Sequence, residues 1–289
     1  MPRLLTKPGV SMWTCEDTAP YRALACRPNQ GSITVIEWFI QRAADDPMVA
    51  AGVPPRELLS ASETTVFNNL HSAKRRKDWL LGRWTAKRVV QAAAVKSGAG
   101  RPADREISIL AAKDGAPEVW LGEEGRLSRA DFNISISHSG DIALCAAVTP
   151  AAHQLGADIE LIEPRSPRFV EDFFTAEEQE SVIQAPADSG DCLITAIWSG
   201  KEAALKAVRQ GLRLDTRTVN CSFPTSLQSC AYGQESMDWI PFAIQWHYNT
   251  GYPQLNGWWR LWQGFILTLA VTPEHMHAAQ HRASTESPM

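Results

Sequence analysis

The feature that most constrains this chain is a short sequence similarity, or echo, between two segments that are predicted to be helical. Trp84-Thr85-Ala86-Lys87 lies in a basic helical segment, and Trp198-Ser199-Gly200-Lys201 lies in a helix predicted from Cys192 to Arg209. Each helix is followed later by a strand that begins with Gly-x-Ile, at Gly140 and at Gly264. Four-residue similarities also arise by chance, so the echo suggests a duplicated architecture without deciding it.

Short strands accompany these helices and predict an α+β fold. Alternating or apolar runs bounded by turn residues mark them. The predicted strands are Glu106 to Ala111, Glu118 to Leu121, Asp141 to Val148, Leu155 to Ile162, Thr218 to Phe223, Phe242 to His247, Trp258 to Trp262 and Gly264 to Val271. We expect four parts: an irregular N-terminal extension (residues 1–30), a first half (31–150), a second half (151–272) and a polar tail (273–289).

Composition excludes several classes of protein. Of the 289 residues, 44% are hydrophobic and 21% charged, as in soluble globular proteins. A net charge of -4 provides no global attraction to nucleic acid or anionic lipid. Six scattered cysteines predict reduced, mostly buried thiols. No apolar run resembles a signal peptide or membrane span, so we expect a cytoplasmic protein that contacts neither membrane nor nucleic acid.

The segment Gly156-Ala157-Asp158-Ile159-Glu160 places two carboxylates on the same face of a predicted strand, because alternate side chains of a strand share a face. Magnesium commonly takes one or two protein carboxylates and completes its shell with water and substrate phosphates. The ordinary alternative is an exposed strand face that carries two solvated acids.

The predicted helix around Trp198 carries three charged residues of interest. Glu202 and Lys206 lie one turn apart at the edge of its apolar stripe. Lys201 projects close to the centre of that stripe, where its stem packs while its head group reaches a polar site. A simple surface pair between Glu202 and Lys206 is the ordinary alternative.

Two further segments suit phosphate binding. An alternating strand from Phe132 leads into a predicted Ser137-His138-Ser139-Gly140 turn, where hydroxyl groups, an imidazole and backbone N–H groups suit a phosphate; a polar β-turn is the alternative. Seven cations fall within fifteen residues of the first helix, although such a run is usually a solvated face. They are Lys74, Arg75, Arg76, Lys77, Arg83, Lys87 and Arg88.

Together these motifs resemble the larger, Sfp-type class of 4′-phosphopantetheinyl transferases. Counterparts of the family signatures F-N-x-S-H-S-G, G-x-D-x-E and W-S-x-K-E-x-x-x-K occur here in family order. The first is longer here, Phe-Asn-Ile-Ser-Ile-Ser-His-Ser-Gly, so only its Ser137-His138-Ser139 part is matched. The resemblance implies two similar halves related by a pseudo-twofold axis, each a small antiparallel sheet packed with a long helix. It also implies coenzyme A in the cleft between the halves, and a monomer is then sufficient.

The resemblance implies a role for each matched residue. Asp158, Glu160 and Glu202 hold magnesium, and Glu202 and Lys206 act in catalysis. Glu202 accepts the proton of the carrier-protein serine, directly or through a metal-bound water. The residues expected to bind coenzyme A are Ser137, His138, Lys201, Lys206, Arg76 and Arg83.

The implied reaction moves 4′-phosphopantetheine from coenzyme A to a serine of an apo acyl or peptidyl carrier protein and releases 3′,5′-ADP. Such carriers serve fatty acid, polyketide or nonribosomal peptide synthesis. Two alternatives stay open: a magnesium-dependent nucleotide pyrophosphate hydrolase, and a non-catalytic module that binds coenzyme A or carrier protein. One departure from the family is Ala116, which replaces a lysine expected near the coenzyme phosphates; Arg75, Arg76 or Lys77 is the predicted compensation.

Overall fold

The structure, a computed structural model, describes residues 21–26, 34–224, 238–247 and 251–273. Its antiparallel sheets and packed helices confirm the predicted α+β class. No helix in these described ranges is both long and apolar enough to cross a membrane. Cys145, Cys192 and Cys221 are buried free thiols, as predicted, whereas the other three cysteines have no described side chain.

The first half is a four-stranded antiparallel sheet in the order β1-β2-β7-β6, with helix α3 packed against β2, β6 and β7. A three-stranded sheet, β3-β4-β5, accompanies it. The elements are β1 (Tyr21–Cys26), β2 (Thr34–Arg42), α1 (Pro47–Ala51), α2 (Ala61–Asn68), α3 (Ala73–Lys96), β3 (Ile107–Ala111), β4 (Pro117–Leu121), β5 (Ser128–Arg129), β6 (Asn133–Ser139) and β7 (Ile142–Val148).

Two strands correct the predicted N-terminal organisation. Residues 21–26, assigned to an irregular extension, form β1, which pairs with β2 from Tyr21 opposite Phe39 to Cys26 opposite Thr34. The β2 strand was itself not predicted, and it joins β1 to β7. Backbone pairing with a partner strand creates this order, and such pairing leaves little trace in local composition. Residues 1–20 and most of the predicted tail lie outside the described residues.

The second half is a five-stranded antiparallel sheet in the order β8-β12-β11-β10-β9, with helix α6 packed on β8 and β12. Its elements are β8 (Leu155–Leu161), α4 (Pro167–Phe173), α5 (Ala176–Gln184), α6 (Gly190–Ala207), β9 (Val219–Ser222), β10 (Ile240–Trp246), β11 (Asn256–Trp262) and β12 (Phe265–Val271). The predicted strands and the predicted helix agree with these bounds to within a few residues.

Gly156 allows α6 to approach β8 closely. A Cβ at this position would lie 1.8 Å from the carbonyl oxygen of Ala203 and 2.7 Å from the amide nitrogen of Ala207. Because Gly156, Asp158 and Glu160 alternate along β8, they share the face that α6 covers. The missing side chain at Gly156 therefore brings the helix within reach of the two carboxylates.

The first half contains a buried ion pair between α3 and α2. The ammonium of Lys87 contacts Glu63 Oε2 at 2.6 Å and donates to the carbonyl oxygens of Asp104 and Ile107. Glu63 in turn accepts from the amide of Ser60, whose hydroxyl caps α2. All three ammonium donors are therefore satisfied, which offsets the cost of burying the charge.

The second half contains the same arrangement. The ammonium of Lys201 contacts Glu178 Oε2 at 2.7 Å and donates to the carbonyl oxygens of Thr216 and Val219. Glu178 accepts from the amide of Thr175, whose hydroxyl caps α5. The lysines of the two sequence echoes thus make matching contacts, which supports a duplication; the pseudo-twofold axis itself stays a prediction.

The two halves meet where β6 lies beside β8. Side chains bridge these strands: Ser135 Oγ accepts the amide of Ala157 at 2.9 Å, and Ser139 Oγ accepts the amide of Leu161 at 3.3 Å. We call Ser135, Ser137 and Ser139 the serine seam. Because the seam lies on alternate positions of β6, all three residues project to the same side.

Candidate active site

Asp158 lies at the junction of the two halves. Its Oδ1 accepts from Lys206 Nζ at 2.6 Å and from Ser137 Oγ at 2.7 Å. Its Oδ2 is buried and has no hydrogen-bond partner among the described residues. Buried carboxylate oxygens are normally satisfied, so this orphan oxygen indicates a place for a ligand.

Helix α6 contributes Glu202 and Lys206 from successive turns. Lys206 Nζ lies 3.5 Å from Glu202 Oε2 and also donates to Ser137 Oγ at 3.1 Å. Burial alone would lower the pKa of the Lys206 ammonium, but Asp158 and Glu202 outweigh burial and raise it. Burial, aided by the charge of Asp158, raises the pKa of Glu202 despite Lys206. The ammonium therefore stays charged between two carboxylates.

Glu160 adds a third carboxylate at this end of β8. Its Oε1 accepts from Trp198 Nε1 at 3.1 Å, and Arg165 lies 3.4 Å from Oε2. Burial first, and then the nearby charge of Asp158, raises the pKa of Glu160 to about 7. The Trp198 ring is held edge-on by Phe169 and Phe173, at centroid distances of 5.0 and 5.3 Å. Crowded acids with raised pKa values form a site that favours added positive charge.

The donor set fits a hard divalent cation, although the side chains are not gathered around one point. Within the described part of the chain, no three His, Cys, Asp or Glu side chains form a group that could hold a metal ion. Lys206 lies between Asp158 and Glu202, while Glu160 turns toward Trp198 and Arg165. Carboxylate chemistry and the orphan oxygen of Asp158 suit magnesium, so the predicted ligand set stays a proposal.

Lys201 corrects an expectation. Its side chain is 0% exposed, and its ammonium is fully occupied by Glu178 and two carbonyl oxygens on the far side of α6 from the carboxylates. Because Lys201 lies at the centre of the apolar stripe of α6, its ammonium group is buried together with its aliphatic stem. Lys201 therefore stabilises the fold and does not reach a coenzyme phosphate.

Arg76 and Arg83 also contact other parts of the protein, and their predicted binding of coenzyme A stays a prediction. Arg76 donates to the carbonyl oxygens of Phe67 and Leu70 and stacks on the Phe67 ring at 3.9 Å, which closes the end of α2. Arg83 donates to the carbonyl oxygen of Ile109 and lies 3.7 Å from Glu63. Both guanidinium groups hold internal partners, so the structure gives them packing roles.

The Ser137-His138-Ser139 segment lies within strand β6 and not in a turn. The turn is Gly140-Asp141, with Gly140 at φ 57°, which links β6 to β7 as a two-residue hairpin. His138 is exposed opposite Ala143, whereas Ser137 is buried in the seam. Successive side chains of a strand project to opposite faces, so Ser137 and His138 do not form a single phosphate-binding site.

A cleft of about 570 Å³ opens beside Lys206, between the halves. The turn at Asp114 to Pro117 and part of β6 form one wall, and the end of α6 with the following residues forms the other. Arg209 donates to both carboxylate oxygens of Asp114, at 2.6 and 2.9 Å, and Arg213 donates to the Asp114 carbonyl oxygen. The Arg209 hydrogen bond, the largest influence, lowers the pKa of Asp114 to about 2.

Sequence reasoning missed Arg209 and Arg213 as cleft residues. Both stand beside Ala116, where the family lysine is absent, but they come from a part of the chain more than ninety residues away. Their only local signal is a basic stretch after the helix motif. Arg213 donates to carbonyl oxygens alone and forms no carboxylate pair in the described ranges.

Comparisons with known proteins match parts of the chain. Residues 154–269 match the model of the 4′-phosphopantetheinyl transferase superfamily, the superfamily that the motifs resemble. The 4′-phosphopantetheinyl transferase psf-1 of Bacillus pumilus is 36% identical over 81 residues, which are 28% of this chain and 34% of the relative. The matched segment thus spans about a third of that relative's length.

A solved structure was also found. It is a holo-(acyl-carrier-protein) synthase from Bacillus anthracis in complex with CoA (3′,5′-ADP), with 21% identity and a TM-score of 0.28. The likeness covers 39% of this chain and 92% of that one.

Proposed function

We propose that this chain, whose residues 154–269 match the 4′-phosphopantetheinyl transferase superfamily, transfers 4′-phosphopantetheine from coenzyme A to a serine of an apo carrier protein. The single observation that carries the proposal is the buried Asp158 carboxylate with its unsatisfied oxygen; Lys206 contacts both Asp158 and Glu202 and also lines the cleft between the halves. Such a cluster suits the displacement of a pyrophosphate, which needs positioning and charge stabilisation above all.

Each residue of the site has a separate role in the proposed transfer reaction. The carrier serine oxygen forms a bond to the phosphorus next to the pantetheine arm, while the bond from that phosphorus to 3′,5′-ADP breaks. Glu202 accepts the serine proton, and the Lys206 ammonium stabilises the negative charge on the pyrophosphate oxygens. Asp158, Glu160 and Glu202 would hold magnesium, which supplies charge neutralisation at the pyrophosphate when bound.

The cleft supports coenzyme A as the donor. Its volume of about 570 Å³ falls within the range of sites for small molecules, and it begins at Lys206. Arg213, which forms no ion pair with the residues that the structure describes, adds a second cation to the cleft lining. A ligand with phosphates along its length would therefore contact cations at both places.

Intact mass spectrometry tests the proposal. The protein is incubated with coenzyme A, magnesium and a panel of apo carrier proteins, and a carrier gains the mass of the phosphopantetheine arm. Glu202→Ala should lower the rate about 10²–10⁴-fold, because the proton acceptor is lost. Asp158→Ala should abolish transfer, and EDTA should stop it until excess magnesium is added.

Glu171→Ala is the matched control, since Glu171 is an exposed acid on the neighbouring helix α4. It should retain the wild-type rate, and circular dichroism should show that every variant is folded. Release of 3′,5′-ADP with water as acceptor, without carrier modification, would instead establish a pyrophosphate hydrolase. Transfer at the wild-type rate in Glu202→Ala or Asp158→Ala would contradict the assigned site.

A further inference from the structure

The serine seam differs at its middle residue. The outer residues, Ser135 and Ser139, accept backbone amides of β8 and so join the two halves. Ser137 instead donates to the carboxylate of Asp158 at 2.7 Å. Three serines at equivalent positions of one strand therefore have two different functions, and only the middle one touches the candidate site.

The hydroxyl of Ser137 already makes two hydrogen bonds within the protein. It gives its proton to Asp158 Oδ1 and accepts from Lys206 Nζ at 3.1 Å. A serine hydroxyl has one donor and two acceptor positions, so its donor is used in full. The side chain is 7% exposed. Ser137 is thus poorly placed to donate to a coenzyme phosphate, which was its expected role.

These contacts fix the orientation of the Asp158 carboxylate. Ser137 and Lys206 both bind Oδ1, and they come from different halves of the molecule. Lys206 alone could pair with either oxygen, because an ammonium is a compact charge on a flexible stem. The hydroxyl from strand β6 binds the same oxygen as Lys206, which leaves the other oxygen, Oδ2, without a hydrogen-bond partner among the described residues.

We propose that Ser137 is a positioning residue, which holds Asp158 so that Oδ2 is available to a divalent cation. The proposal rests on the proposed function, because it takes Asp158 as a metal ligand. Some residues hydrogen-bond to a metal-ligating side chain and orient it. Their removal typically lowers metal affinity by about 10–100-fold. The first half of the molecule would thereby control metal binding by the second.

The test measures binding of Mn²⁺ alone by electron paramagnetic resonance, on the full chain without coenzyme or carrier. Ser137→Ala should weaken Mn²⁺ binding about tenfold. Ser137→Thr retains a hydroxyl and should restore the affinity. Ser135→Ala and Ser139→Ala are matched controls from the same seam, and they should lower the melting temperature while Mn²⁺ affinity stays within about twofold.

The outcomes separate the two proposals. Binding of Mn²⁺ by Ser137→Ala with wild-type affinity overturns the role of Ser137 and leaves the proposed function intact. Failure of the wild-type protein to bind Mn²⁺ overturns the role of Ser137 and the metal site of the protein without coenzyme, whereas the transfer reaction is decided by the mass-spectrometry test. If Ser137→Ala does not fold, Ser137→Cys replaces it, because a thiol fills the space but donates weakly; wild-type affinity in that variant would likewise overturn the inference.

Discussion

At the scale of single residues, two lysines on one helix have opposite roles. Lys201 is sealed inside the protein with Glu178, whereas Lys206 contacts Asp158 and Glu202 beside a cleft. The five-residue separation between them rotates the second lysine well over a full turn, so that it leaves the centre of the apolar stripe. The same side-chain chemistry therefore serves stability at one position and the candidate reaction at the other.

Lys201→Met should destabilise the protein strongly and leave the site chemistry in place. Removal of one partner leaves the Glu178 charge buried without compensation, which costs about 3–5 kcal/mol. Urea unfolding should show this loss, and the double variant Lys201→Met/Glu178→Gln should recover part of it. Lys206→Met should abolish transfer and cost less stability than Lys201→Met, because the Lys206 side chain is 26% exposed and Asp158 keeps the hydrogen bond from Ser137. Loss of transfer in a fully folded Lys201→Met protein would contradict this prediction and show that Lys201 takes part in the reaction.

At the scale of elements, the approach of α6 to β8 creates the site. The helix supplies Glu202 and Lys206, and the strand supplies Asp158 and Glu160, so their chemistry depends on the distance between the two backbones. That distance is set at Gly156, where no side chain separates the strand from Ala203.

Gly156→Ala should displace α6 and destabilise the fold. The added methyl group would meet backbone atoms, which cannot move aside as a flexible side chain can, so we expect a cost of at least about 3 kcal/mol by urea unfolding. Gly190→Ala is the matched control at the start of the same helix, because no atom lies within 4 Å of its added Cβ. It should change stability by less than about 0.5 kcal/mol. Equal stability of both variants would show that helix and strand are not in close contact.

At the scale of the whole molecule, the cleft takes one wall from each half. Asp114 in the first half accepts from Arg209 and Arg213 of the second, so charged contacts join the walls beside Ala116. Arg209 is already neutralised by Asp114, whereas Arg213 holds carbonyl oxygens only. Of these two arginines, Arg213 is therefore the one available to a bound anion, in addition to Lys206 at the same cleft.

Arg213→Gln should weaken coenzyme A about tenfold by calorimetry and leave dephospho-coenzyme A almost unchanged. The physical reason is the loss of one charge-assisted hydrogen bond to the 3′-phosphate. Arg217→Gln, an exposed neighbour paired with Asp215, is the control and should affect neither ligand. Arg76→Gln should also leave the preference between the two ligands unchanged. Equal weakening of both ligands by Arg213→Gln would place the 3′-phosphate elsewhere.

The sequence by itself determined the resemblance to the transferase superfamily, the α+β class and the positions of the long helices and most strands, because periodicity and short motifs are local properties. It also identified Asp158, Glu160, Glu202 and Lys206 as candidates, since alternation along a strand and the helical repeat fix which neighbours share a face.

Only the tertiary structure decided what each polar group touches. Lys201 and Arg83 carry charges suited to phosphate, yet they contact Glu178 and the carbonyl oxygen of Ile109, which no local pattern links to them. Ser137 and Arg213 became informative through contacts with residues 21 and 99 positions away. A local pattern specifies the direction of a side chain, but its partner depends on how two halves of the chain pack together.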